Sequence, residues 1–360
     1  MSNAKSLSEL GGSYGTGGMS SFKNRIINGD MRIDQRNAGA SVTGNDGVYT
    51  LDRTFVIGTQ SSKFTVQQNA GSVTPPNGFR NYLGVTSSSA YSLLSSDYFT
   101  LCQRIEGFNT ADMMFGTATA ATFTLSFWVR SSLTGTFGGL LANHPADRCY
   151  LYSYTINAAN TWEKKTITVA GDTTGTWATN NTRGLQVMFC LGAGSSYVGA
   201  TGSWSSTYAL GPTGQTNVLG TSGATFYITG VQLEKGATAT SFDYRPYGTE
   251  VFLCQRYFAK INASTTYTGF GSGLFASTGS AQIFLKYPTT MRSAPTISQS
   301  NCALNTTDAA FTVTSLSGTN AGTDTALQSF SIASGGTQYR AVVLTANNNT
   351  AAYVDFSSEL

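Results

Sequence analysis

Apolar and polar positions alternate along most of this chain with the two-residue period of half-buried strands. Phe123-Thr-Leu-Ser-Phe-Trp-Val-Arg130 places Phe123, Leu125, Phe127 and Val129 on one face and Trp128 on the other. Tyr49–Ile57, Lys63–Gln67, Tyr82–Thr86, Tyr150–Ile156 and Trp162–Val169 are further strand candidates, and the near-continuous apolar run Gly184–Leu191 suits a central strand. Asn45-Asp-Gly47, Pro75-Pro-Asn-Gly78 and Gly211-Pro-Thr-Gly214 supply turns between them. Two segments frame the set. Asn24–Met31, with its Asn-Gly-Asp turn signal, predicts an opening strand. Phe226–Glu234 predicts a closing strand with Phe226, Ile228, Val231 and Leu233 facing inward. Side-by-side pairing of a first and a last strand closes a jelly roll. The expectation is an all-β chain: a jelly-roll β-sandwich followed by a second, smaller β-sandwich.

Breaks in the pattern divide the chain. Residues 1–21 are rich in Ser and Gly, with Leu7, Leu10, Tyr14 and Met19 as scattered anchors. They read as a frayed terminus or as an arm that becomes ordered on a partner. Residues 22–247 form the jelly roll. Within it, Gly192–Gly223 reads as a large surface loop, of a length that tends to carry function. Residues 248–258, after the turn Arg245-Pro-Tyr-Gly248, read as a linker or short helix, with the helix favoured over Glu250–Phe258. Asp243-Tyr-Arg245 and Gln255-Arg256 flank this junction and predict polar anchors between domains. Residues 259–360 resume β-type sequence in five or six strands, including Ala281–Tyr287, Gln328–Ile332, Tyr339–Thr345 and Ala352–Phe356.

Composition narrows the function classes. Only 11% of residues are charged, against roughly 25% in ordinary soluble domains. The net charge of +3 comes without a Lys/Arg run, so nucleic-acid binding lacks its electrostatic footprint. No apolar run approaches the roughly 18 residues of a membrane span. The polar N-terminus lacks the apolar region of a signal peptide, which predicts a protein made in a cytoplasm and remaining soluble. The five cysteines, Cys102, Cys149, Cys190, Cys254 and Cys302, form no CxxC and lie among apolar residues, as buried free thiols do. His144 is the only histidine and stands beside Pro145 in loop-like sequence, which excludes a His-based metal cluster.

Sugar rings stack on exposed aromatic faces, and this chain is 12% aromatic. Trp177 and Trp204 lie in Gly/Thr/Ser-rich stretches, where an aromatic side chain needs packing or use. Trp204 with Tyr208 is the leading ligand-contact pair and Trp177 the third candidate; packing, or contacts between subunits, is the alternative for each. Glycoside hydrolysis needs paired acids in a cleft. Glu106, Asp112, Asp172, Glu234, Asp243 and Glu250 are the available acids and form no motif, so a non-catalytic role is expected. Glu163, with Lys164 and Lys165, reads as an exposed strand face.

Several motifs together resemble a recurrent bacteriophage and prophage virion protein of the tail-fibre type. They are Asn24–Met31, the strand 123–130, Thr161-Trp-Glu-Lys-Lys165, Ile228–Gly236, Phe242–Glu250, Leu253-Cys-Gln-Arg-Tyr-Phe258 and Asp355-Phe-Ser-Ser-Glu-Leu360. The resemblance covers roughly residues 22–360. It implies a structural virion appendage, located on the virion and docked to other virion proteins through the arm. It also implies contact with a host-surface glycan and, because such fibres are typically threefold, a homotrimer. Low charge with high hydroxyl and aromatic content points the same way, since closed symmetry buries such a surface. The loop around Trp204 and the final Tyr353, Val354 and Phe356 are the expected contacts. A capsid-decorating or head-fibre protein and a polysaccharide depolymerase are the alternatives. The first domain is also similar to family 4/9/22-type carbohydrate-binding modules. That resemblance implies a structural calcium held near the opening motif and by a last-strand acid. The matching last-strand position here is Thr229 or Gly230. Asp30 and Glu234 remain as oxygen donors, and Asp30 also reads as a plain turn residue. No other cofactor is implied.

Overall fold

The computed structural model describes residues 23–360; the expected arm, residues 1–21, lies outside them. The first domain is a sandwich of two antiparallel sheets. Sheet I has six strands in the order Val42–Thr43, Phe64–Gln68, Leu83–Ser87, Thr225–Lys235, Phe123–Ser131 and Glu163–Val169. Sheet II has seven, in the order Trp204–Ser205, Cys149–Ile156, Gly135–Ala142, Arg183–Ala193, Tyr98–Glu106, Thr54–Gly58 and Tyr49–Leu51. The last strand of the domain lies inside sheet I, between strands that come before it in sequence, as in a jelly roll. Alternation sends every second side chain of both sheets into the space between them. Phe123, Leu125, Phe127 and Val129 are fully buried there, with Phe64, Phe99, Phe137 and Phe226.

The closing strand carries Phe226 and Ile228, then Val231 and Leu233, inward, although the two pairs are out of phase. A bulge between Thr229 and Gln232 takes up the extra residue. Gly230 supplies its positive φ of 60°, and a Cβ there would lie 2.6 Å from the Phe79 ring.

The expected opening strand is not a strand. Residues 24–31 run in an irregular path beside the second half of Thr225–Lys235, where Leu83–Ser87 no longer pairs with it. Arg25 N donates to Leu233 O at 2.8 Å, and Val231 N donates to Gly29 O at 2.8 Å. Asn24 replaces further ladder bonds with its side chain, donating to Val231 O and accepting from Leu233 N. Asn28 and Met31 adopt positive φ, and the Asn28 side chain bonds Ile33 N and O and Asp52 O. Local bonding by Asn outcompetes the ladder here.

The stretch 192–223 is also more than a surface loop. Leu210, Val218 and Leu219 are buried, and part of the segment folds over the outer face of sheet II. A helix does form at the junction, at Tyr247–Gln255, three residues upstream of the expected span, directly after Pro246. Arg245 and Arg256 tie the first domain to the junction helix as expected, whereas the hydrogen bonds of Asp243 stay within the first domain. Asp243 accepts from Lys23 N and Asn24 N, Arg245 pairs with Glu250, and Arg256 grips Glu106.

The second domain packs a three-stranded sheet, sheet III (Phe258–Asn262, Tyr353–Ser357 and Thr296–Ser300), on a seven-stranded one, sheet IV. Sheet IV runs Ala310–Thr312, Cys302–Asn305, Ala341–Ala346, Gly269–Ser277, Ser280–Lys286, Thr325–Ser331 and Ser315–Ala321. Its core includes Phe275, Ile283, Phe330, Leu344, Val354 and Phe356. Val354 and Phe356 therefore face inward and are not subunit contacts, a correction that follows from their alternation along the strand. Beyond them, Glu359 returns to the first domain to meet Arg36 and Arg53. All five cysteines are free and buried. Among the described residues, no helix is long and apolar enough to cross a membrane.

Candidate ligand-binding cleft

Side chains of sheet II that turn away from the core form rows across its strands. Phe55, Cys102, Met188 and Leu140 are register partners in one row. The next row sets Arg104 opposite Gln186, and Gln186 opposite Ala142. Part of this face is roofed by Leu210, Tyr197 and Tyr208 of the 192–223 segment. Where the roof ends, a cleft of about 360 Å³ opens between Ile57, Arg104, Arg183, Gln186 and Met188 below and Tyr208, Pro145 and Ala146 at its sides.

The cleft joins an apolar floor to a polar end. Arg183 Nη1 donates to Gln186 Oε1 at 3.2 Å, and Nη2 meets His144 Nδ1. Arg104 lays its guanidinium 4.5 Å from the Phe55 ring centroid and donates to Leu360 O. Burial, with Arg104 close by, lowers the pKa of Arg183. Burial and the same two cations lower that of His144, so the imidazole is neutral at pH 7 and Nδ1 is free to accept. His144 is exposed, as its loop sequence implied. Burial raises the pKa of the half-buried Tyr208, whose phenol stays protonated.

The structure separates the aromatic residues singled out from sequence. Trp204 Nε1 donates to Ala170 O at 2.8 Å, and its ring packs on Tyr150 and edge-on to Trp177, 5.5 Å between centroids. Trp177 rests on Phe115 at 4.6 Å. Both indoles are half-buried against the main core and away from the cleft lining. Tyr208 instead packs edge-on to Tyr197 and borders the cleft.

The acids are likewise dispersed. Glu106 accepts from Arg256 and from the Tyr257 hydroxyl, and Asp172 takes both forks of Arg148. Asp112 meets Arg25, and Glu250 meets Arg245. Glu163 is half-buried rather than a plain exposed face: it accepts from Asn157 N, Ala158 N and Lys165 and so ties off its hairpin.

Asp30 and Glu234 do not form a calcium site. Glu234 accepts from Gln232 Nε2 and from Thr240 N and Oγ1, while Asp30 lies 3.1 Å from Arg32 Nε. A guanidinium beside one donor, and protein hydrogen bonds on both oxygens of the other, do not fit a divalent cation. Among the described residues, no group of three or more His, Cys, Asp or Glu is placed to hold a metal.

Arg104, Arg183 and Gln186 were not identified from sequence. The available signal was polar Gln186 interrupting an apolar run, but which sheet face it shares with Arg104 depends on register.

No protein-family model matches this chain, and no curated protein matches it. Solved structures similar to it include the enzymatically active domain of tailspike protein 4 of bacteriophage CBA120, at 13% identity and TM-score 0.32. That match covers 60% of this chain and 22% of the tailspike chain. The carbohydrate-binding module TmCBM61, in complex with β-1,4-galactotriose, matches at 10% identity and TM-score 0.31 over 60% of this chain and 100% of its own. A putative sugar binding protein from Bacteroides thetaiotaomicron matches at 12% identity and TM-score 0.34, over 59% and 100%.

Proposed function

We propose that this chain is a non-catalytic structural protein of a virion appendage, of the tail-fibre type, whose first domain binds a host-surface glycan. The observation that carries the glycan reading is the cleft itself. It offers an aromatic wall at Tyr208 and hydrogen-bonding groups at Gln186, Arg183 and Arg104, on a rigid sheet face. Sugars need this pairing of an apolar surface with fixed polar groups. Its lining contains no carboxylate, whereas glycoside hydrolysis uses two. That favours binding over depolymerisation.

Assembly as a homotrimer is part of the same proposal. Sheet IV exposes Leu274, Phe284, Leu327 and Val343 on one face, at 49%, 53%, 37% and 42%. Ser272 pairs with both Phe284 and Val343, and Phe284 with Leu327, so these side chains form a band across four strands. Lys286 is the only charged residue in the seven strands, so charge repulsion between copies is confined to that one position. The virion role rests on the sequence resemblance, and labelled antibody on purified particles tests it.

The glycan reading is tested by presenting the full chain and Tyr208→Ala to an array of bacterial surface glycans. Binding by the parent and loss in the variant, with unchanged melting, is the expected result. No binding by the parent, or binding indifferent to Tyr208, would count against it.

A further inference from the structure

We infer that the cleft on sheet II selects glycans that carry a negative charge, through Arg183 with Arg104 beside it. The inference rests on the reading of the cleft as a ligand site and names the class of sugar it takes.

Glu106 is committed to Arg256 and Tyr257, and Glu359 to Arg36 and Arg53. Arg25, Arg32, Arg148, Arg245 and Arg340 each have an acidic partner as well. Arg183 has no Asp or Glu partner among the described residues; the same holds for Arg80, Arg130 and Arg292, but these lie outside the cleft lining. Arg183 bonds only a neutral amide and a neutral imidazole, whereas Arg104 is engaged by the oxygen of Leu360, the final residue of the sequence, and faces an aromatic ring. Yet the two line one cleft, close enough for each to disfavour charge on the other.

A guanidinium held beside a second one in a partly desolvated site, with no Asp or Glu opposite it, is unfavourable until an anion arrives. The sheet holds them there. Arg104 is fixed opposite Gln186, and Gln186 in turn orients the Arg183 fork. Guanidinium groups match carboxylate and phosphate oxygens with two parallel donors. His144 Nδ1 already accepts from Arg183, which leaves its Nε2–H as a further donor. Tyr208 provides the flat wall for the sugar ring. The shared chemistry is therefore an anionic sugar, bearing either a carboxylate or a phosphate.

Calorimetry on the full chain tests this, with three probes: oligogalacturonate for the carboxylate, a glycerol-phosphate polymer for the phosphate, and cellohexaose as the neutral control. Binding of either anionic probe, weakened by added salt and absent for cellohexaose, is expected; which one binds identifies the source of charge. Arg183→Gln should lower that affinity about ten- to hundredfold, as for loss of one charge-assisted contact. Arg183→Lys should recover only part of it, because the charge returns without the fork. Melting curves for both variants establish that they fold, and Arg104→Gln provides a second route if either does not.

Binding of cellohexaose as tight as that of the anionic probes, or anionic binding unaffected by Arg183→Gln and Arg104→Gln, would overturn the inference. Tyr208-dependent binding of neutral sugars would leave the glycan reading standing without it. Failure to bind any array glycan or any of the three probes would overturn both.

Discussion

Val231 N donates to Gly29 O at 2.8 Å, and a Cβ on Gly29 would lie 2.1 Å from Val231 O. The backbones meet so closely because residues 24–29 take the place of a ladder partner beside the closing strand. Only glycine leaves room there. Gly29→Ala must push the segment off the strand. It is expected to lower the stability of the first domain by about 1–3 kcal/mol, the range for inserting a methyl group into a filled site. Urea unfolding of the two proteins measures this; equal midpoints would show that the segment moves aside freely.

Trp204 packs between Tyr150 and Trp177 and bonds Ala170 O. Its work is to hold an edge of sheet II against the 171–177 segment. Trp204→Ala should destabilise the chain by about 3 kcal/mol, the low end for truncating a large aromatic, with glycan binding unchanged. Loss of binding at unaltered stability would return Trp204 to the ligand site.

Asp52 is fully buried, and burial raises its pKa to about 7 against the pull of two 2.7 Å hydrogen bonds from Gln35. The folded protein therefore keeps this proton after the unfolded chain has released it near pH 4. Its contribution is fully present below about pH 4 and is lost as pH rises through the folded value. Stability should fall across that window, and Asp52→Asn should flatten the fall. Unfolding midpoints at several pH values, parent against variant, give the answer; parallel profiles would refute it.

The exposed band of sheet IV makes a separate prediction. Leu274→Gln with Phe284→Gln should turn the assembled protein into a monomer near 38.0 kDa with little change in melting, because both side chains are exposed. Light scattering at micromolar concentration reads the mass. A parent that is already monomeric would confine trimer formation to the particle.

Much of the fold is legible in the sequence. Phe123, Leu125, Phe127 and Val129 declared a buried strand face by alternation alone, because the pleat sends successive side chains to opposite sides. The cysteines declared themselves by their apolar neighbours, and Arg245 and Arg256 by flanking the junction. The closing strand was read with its phase change intact, although the bulge that permits it was not. The opening segment has the sequence of a strand but does not form one, since nothing local shows that Asn28 satisfies its surroundings through its side chain.

What the sequence by itself determined is therefore most of the strands, their inward faces and the succession of two β-sandwiches. These depend on periodicity and local turn chemistry, which are written over a few consecutive residues. Only the tertiary structure decided that Tyr208 belongs to a cleft while Trp204 belongs to a packed flank. It also decided that Arg104 and Arg183, 79 positions apart, share one surface. Those relations depend on strand register and on where a long connection folds back. Register is set by the sum of pairings across the whole sheet, and no window of sequence contains that sum.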